Sequence, residues 1–243
     1  MQKKMTRALL LLFSVFICWS FIFVSDCSTV TQFQKGSTIT QALFDEKGKP
    51  SGTVKVTCIS VSASGTSSIA TMKSESFDKK GKPDNTSEFK ITCTPEKIIM
   101  DISGLPNPHE SLLFKGTTIS VTGGNIEIPS VLTEGQLLSD VKIKVKFLKN
   151  GTSFGSADIQ MKNCKVLLKE NVTTAAGSFS CNKIGYDVET GNILIKNFKT
   201  KRDYSTSAKA LMWYNAENGI IKSQANKTSG ELMGTMQVTQ IKK

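Results

Sequence analysis

Polar and apolar residues alternate along most of this chain. The run Val141-Lys142-Ile143-Lys144-Val145-Lys146-Phe147 keeps a period of two, as a strand with one wet face must. Asn150-Gly151 follows, a strong hairpin signal. Pairing about that turn sets Phe147 opposite Phe154. Gly155 then invites a bulge, after which Ala157, Ile159 and Met161 resume the inward face. Further strands are predicted over 37–44, 52–62, 87–94, 97–103, 117–122, 178–187, 192–198, 209–215, 219–225 and 231–241. Gly-Lys-Pro, Gly123-Gly124 and Thr190-Gly191 separate several of them. The best helix candidate after the N-terminus, 106–115, contains two prolines that cut it to a turn or two. About a dozen short strands in one chain predict an all-β fold, a curved antiparallel sheet closing into a barrel or half-barrel through up-and-down hairpins.

One turn occurs twice. Phe44-Asp45-Glu46-Lys47-Gly48-Lys49-Pro50 is echoed by Phe77-Asp78-Lys79-Lys80-Gly81-Lys82-Pro83, with a fainter echo at 226–235. Asp initiates a turn, Gly supplies a positive φ, and Pro interrupts the ladder, so repetition follows from successive hairpins. A calcium loop needs acidic residues at alternate positions, where this motif has lysines.

Lys3, Lys4 and Arg7 precede an uncharged run from Ala8 to Val24, the layout of a secretory signal. The predicted organisation is a signal peptide over 1–25 and a single β-barrel-like domain over 26–243, with no transmembrane segment in the mature chain. The product is expected in the periplasm, at the outer envelope or secreted. Val24-Ser25-Asp26-Cys27 resembles a lipoprotein box, but Asp26 stands where a small residue belongs. Formal net charge is +11, and after Arg7 the only arginine is Arg202. Phosphate and base-edge readout favours the planar fork of arginine, so nucleic acid is not the expected partner.

Export leaves Cys27, Cys58, Cys93, Cys164 and Cys181 as candidates for disulfide bonds. Their number is odd, so at least one is free, lipidated or paired between chains. A hairpin centred near Val172–Thr173 would place Cys164 opposite Cys181, within bridging distance. No pair has C-x-x-C spacing and His109 is the lone histidine, so neither a metal nor another cofactor is expected.

Catalytic signals are sparse. Gly151-Thr152-Ser153-Phe154-Gly155 matches G-x-S-x-G, but it lies behind a hairpin turn and the histidine precedes it, the reverse of the hydrolase order. Nothing singles out a carboxylate pair among Asp101, Glu127, Asp158, Glu170, Asp187 and Glu189. Trp213 and Tyr214 are candidate ligand contacts, with one ring in the core and one at the rim. Sequons at Asn85, Asn150, Asn171 and Asn226 would matter only in a eukaryotic secretory pathway.

Several features together resemble the TapB-type exported bacterial proteins, of the YmcC-like and DUF3108 group. They are Asp26-Cys27, the two Asp-x-Lys-Gly-Lys turns, and Cys93 followed by Ile99-Met100-Asp101. Further on come Glu170 to Cys181, and Trp213-Tyr214 leading to Gly219–Ser223. The resemblance implies a curved antiparallel barrel or half-barrel exported to the envelope, with no established activity, and a signal cut just before Asp26-Cys27. Cys58 and Cys164 depart from it. The function expected is non-enzymatic binding of an apolar or polysaccharide-like ligand. The alternative is a structural or assembly partner in the cell envelope. A ligand carrier should hold an internal apolar cavity, and a partner protein should be filled and show exposed apolar side chains.

Overall fold

The computed structural model describes residues 27–102, 118–195 and 206–243. The signal region, the helix candidate with His109, the end of the strand expected at 192–198, and Arg202 lie outside the described residues. Thirteen strands are present among the described residues: β1 (Thr38–Phe44), β2 (Pro50–Ser64), β3 (Ser67–Asp78), β4 (Pro83–Cys93), β5 (Lys97–Met100), β6 (Thr118–Gly123) and β7 (Ile126–Pro129), then β8 (Val141–Lys149), β9 (Thr152–Thr174), β10 (Gly177–Ile195), β11 (Thr206–Asn215), β12 (Gly219–Lys227) and β13 (Leu232–Lys242). They form one antiparallel sheet in the order β6-β8-β9-β10-β11-β12-β13-β1-β2-β3-β4-β5-β7, curled into a half-barrel.

The repeated motif makes the turns of the β1–β2 and β3–β4 hairpins. Asp45 Oδ1 accepts from the backbone N–H of Lys47 and Lys49, and Asp78 Oδ1 accepts from those of Lys80 and Lys82, all at 2.8–2.9 Å. Gly48 and Gly81 take φ of 70° and 78°, which L side chains adopt only with strain. At the Asn150-Gly151 turn both residues have positive φ, as a two-residue hairpin of primed type requires. Phe147 stands opposite Gly155 rather than Phe154, because the bulge falls one residue earlier than expected. The two rings still meet, with centroids 6.2 Å apart.

Four segments differ from the strand pattern expected, the first being the short β7, which has no counterpart in it. β3 was not expected, since its inward positions include Ala70, Ser74 and Ser76, too small or polar to register as an apolar stripe. β9 and β10 run well past their expected ends, and Thr190-Gly191 does not divide β10, because a register shift between Gly191 and Leu194 absorbs it. Their hairpin also turns at Ala175–Ala176 instead of Val172–Thr173. Cys181 consequently faces Glu170, and Cys164 lies at the irregularity beside Tyr186, so the two are not opposed. Both are free thiols, as is Cys58.

The disulfide present is Cys27–Cys93, with Cα atoms 5.9 Å apart. It fixes the start of a short N-terminal segment with two single-turn 3-10 helices, Cys27–Thr29 and Thr31–Phe33. The segment is tied down along its length. The Thr31 N–H donates to the Glu217 carbonyl at 2.7 Å, the Thr31 hydroxyl donates to Asn218, and the Gly36 N–H donates to the Cys58 carbonyl. Val30 and Phe33 join the main core with Met72, Ile91, Val166 and Ile184, residues from β3, β4, β9 and β10. Each such side chain contributes about 1.5–3 kcal/mol by leaving water. The concave side of the sheet is thus filled in part by the chain's own N-terminal segment.

Candidate functional site

Topology singles out one region. β6 and β7 are consecutive in sequence, yet they are the two edges of the sheet. Gly124-Asn125 therefore carries the chain across the open side, and the two edges there are within about 10 Å. Gly123 ends the β6–β8 ladder tightly, since a Cβ on it would run into the Lys142 carbonyl oxygen of β8. The chain then crosses again. Residues 130–140 form a strap, from the Ser130 N–H bonded to the Glu96 carbonyl to the Gly135 N–H bonded to the Val166 carbonyl. Val166 returns a bond to Gln136, Leu138 donates to Cys164, and Leu137 bridges to Lys165.

The strap reads apolar in both directions. Leu132 and Leu138 pack on the main core, while Val131 and Leu137 are 63% and 74% exposed, the most exposed large apolar side chains among the described residues. Beside Leu137 on β9, Leu167 and Leu168 are each partly uncovered, and Leu167 covers Gly185, where an added Cβ would crowd it. The register places Leu137 diagonally next to Leu167, roughly 7–8 Å between neighbouring positions of an antiparallel pair.

Lysines occupy outer positions along the same strand pair: Lys165 stands opposite Leu137, and a row on β8 runs from Lys142, opposite Gln160, to Lys146, opposite Ser156, progressively farther along β9. Lys142, Lys144 and Lys146 line the exposed face of β8, opposite the cluster of Val145, Phe147 and Ala157. Lys144 has Asp158 at 3.9 Å, whereas Lys142, Lys146 and Lys165 have no ion pair among the described residues. Other carboxylates named from the sequence are dispersed. Glu127 pairs with Lys97, Glu189 with Lys162, Asp187 with Lys209 and Glu170 with Lys183. Each engages a different lysine. Ser153, of the G-x-S-x-G match, donates to the Gly155 carbonyl on the same strand.

Trp213 and Tyr214 alternate across β11. Tyr214 and Met212 belong to the main core, and Trp213 to a second cluster with Cys181, Ile221, Val238 and Ile39, which the tip of the β9–β10 hairpin covers with Val172, Ala176 and Phe179. Both rings are 6% exposed, so neither is at the rim. The Trp213 indole N–H donates to Glu170, and the Lys183 and Lys222 ammonium groups lie 5.1 and 4.8 Å from its ring centroid, within cation–π range. That indole bond, with Lys183 behind it, holds the Glu170 carboxyl below its usual range. Burial pushes the Tyr214 hydroxyl up to about 12.

Buried thiols complete the inventory. Burial, assisted by Asp140 and Asp187, raises Cys164 to about 11; burial and then Glu170 raise Cys181 to about 11. Such thiols stay protonated and unreactive near neutral pH. Among the described residues, no three His, Cys, Asp or Glu side chains gather as metal ligands would, and no helix is long and apolar enough to cross a membrane. Ser74 Oγ is a buried side-chain oxygen without a partner, on β3 beside Ser87 of β4.

Comparison with known proteins agrees with the topology. A family model described as DUF3108-like matches residues 34–238, β1 through most of β13. A solved structure from Bacteroides fragilis NCTC 9343, described as an exported protein with a YmcC-like fold, aligns with TM-score 0.70 at 18% identity, over 88% of this chain and 99% of that one. Another, from Parabacteroides distasonis ATCC 8503 and described as a lipoprotein, gives 0.71 at 17%, over 88% and 98%. At these identities the likeness concerns the fold. No curated protein sequence matches the chain.

Proposed function

The chain belongs to the DUF3108-like family, and from that premise we propose that it is a non-enzymatic exported protein of the cell envelope that works by docking through its strap and the adjoining face of β8 and β9. One observation carries this reading. The concave side is occupied by Val30, Phe33, Leu132 and Leu138 of the chain itself, while Val131 and Leu137 are left in water on the outside. Folding alone does not require a strap to expose two large apolar side chains where its inward positions are already filled.

Photo-crosslinking tests it. A photoreactive residue at Leu137 should give envelope adducts in the host, and one at the exposed turn residue Lys80 should give none. Adducts at both positions or at neither would overturn the docking face. A carrier of a polar, polysaccharide-like ligand is the second reading, favoured by the unpartnered Ser74 hydroxyl. Native mass spectrometry of protein from its own envelope separates the two: a bound molecule lost on denaturation supports the carrier, and a bare chain supports docking.

A further inference from the structure

We infer that the occupant of this face is the surface of an anionic phospholipid bilayer, an inference that rests on the docking reading above. Three features select lipid over protein. The exposed apolar side chains are few and Lys165 stands among them, opposite Leu137 and two residues before Leu167, whereas the centre of a protein interface is depleted in lysine and needs a larger continuous area. Leu137, largely in water, can enter the boundary between headgroups and acyl chains, and Lys165 opposite it can keep its ammonium group among phosphates. Charge fits as well: Lys142, Lys146 and Lys165 lack ion pairs among the described residues, and residues 26–243 carry a formal +8, the +11 of the whole chain less Lys3, Lys4 and Arg7.

The backbone of the strap also suits a dehydrated interface. The N–H groups of Gly135, Gln136 and Leu138 are bonded to Val166, Thr133 and Cys164, so partial insertion of Leu137 strips water from few unpaired polar groups. Acidic residues limit the attraction. Glu134 and Asp140 are exposed on the strap itself, and Asp158 and Glu189 each offset a lysine. Binding should therefore be reversible, salt-sensitive and dependent on both residue types.

Vesicle flotation with the purified mature protein tests this. Vesicles containing phosphatidylglycerol should carry the protein up the gradient, and phosphatidylcholine vesicles should not. Binding should disappear in molar salt, as expected when exposed charges are screened. The triple variant Lys142→Gln, Lys144→Gln, Lys146→Gln should bind roughly a hundredfold more weakly, from the usual worth of a lysine at an anionic surface. Leu137→Ser should weaken binding while leaving circular dichroism and Tm unchanged, because the side chain is mostly in water. Equal flotation with neutral and anionic vesicles, or no effect of either variant, would overturn the inference. If vesicles fail while Leu137 still crosslinks to an envelope protein, the lipid falls and the docking face stands. If both fail, both fall.

Discussion

Removing the Cys27–Cys93 disulfide should lower stability by an amount that the loop it closes sets. The two residues are 66 apart in sequence. The chain-entropy relation for a closed loop of that length gives about 4.4 kcal/mol at 25 °C. Unfolding entropy near 2.1 cal/mol/K per residue, over the roughly 217 residues from Cys27 onward, converts this to a fall in Tm of about 10 °C. The assay is thermal unfolding by circular dichroism of the oxidised protein, the reduced protein, and the double variant Cys27→Ala, Cys93→Ala. Reduced protein isolates the cross-link, and the double variant adds the loss of two buried sulfurs, so the variant should melt lowest. A difference below about 3 °C between oxidised and reduced forms would refute the loop-entropy account. The N-terminal segment would then be held by its bonds to Glu217, Asn218 and Cys58 alone.

Four further outcomes are expected. Intact mass of the mature protein should lack a diacylglyceryl group and be lighter by two hydrogens than the reduced chain, since the Cys27 sulfur is committed to Cys93. Cys58, Cys164 and Cys181 should resist alkylation in the native state; burial raises all three in the folded protein, so their contribution holds below the unfolded value of 9.0 and is lost as pH climbs through the folded values, about 11 for Cys164 and Cys181, which alkaline unfolding would reveal. Trp213 is the one tryptophan outside the signal, so its fluorescence reports Glu170 directly. The lowered carboxyl makes the contact persist as pH falls past the ordinary glutamate value of about 4.3 and fail only below it, a transition that Glu170→Gln should abolish. Gly123→Ala should cost more than about 2 kcal/mol in chemical denaturation because its Cβ meets the Lys142 carbonyl, against about 1–2 kcal/mol for Gly65→Ala, where space is open.

Local chemistry was legible in the sequence wherever a residue acts within its own hairpin. The lysine alternation of β8, the Asn150-Gly151 turn and the paired Asp45 and Asp78 turns all follow from short-range sterics and hydrogen bonding. β3 was hidden because serine and alanine can face a core when the neighbouring strands supply the bulk, here Val56 of β2 beside Ser74 and Ile91 of β4 beside Ala70. The Cys164–Cys181 pairing failed on a displaced turn. Register magnifies such an error, since every pair along two long strands moves with it.

What no local pattern could reveal is where the edges of the sheet go. β6 and β7 look like neighbours in a hairpin, with Gly123-Gly124 between them, but each pairs elsewhere, with β8 and β5. The half-barrel is therefore bridged by covalent connection, at Gly124-Asn125 and along the strap, rather than by a ladder. A strap held by a few backbone bonds can satisfy its own polar groups and still present side chains outward, which a central strand of a filled sheet cannot do on its inner face. Val131 and Leu137 are exposed on this crossing segment, whose inward residues already complete the core. On the docking reading their exposure serves the outer face, and Leu137→Ser is the change that separates the two roles: it should leave the fold as stable as before and remove only what the outer face does.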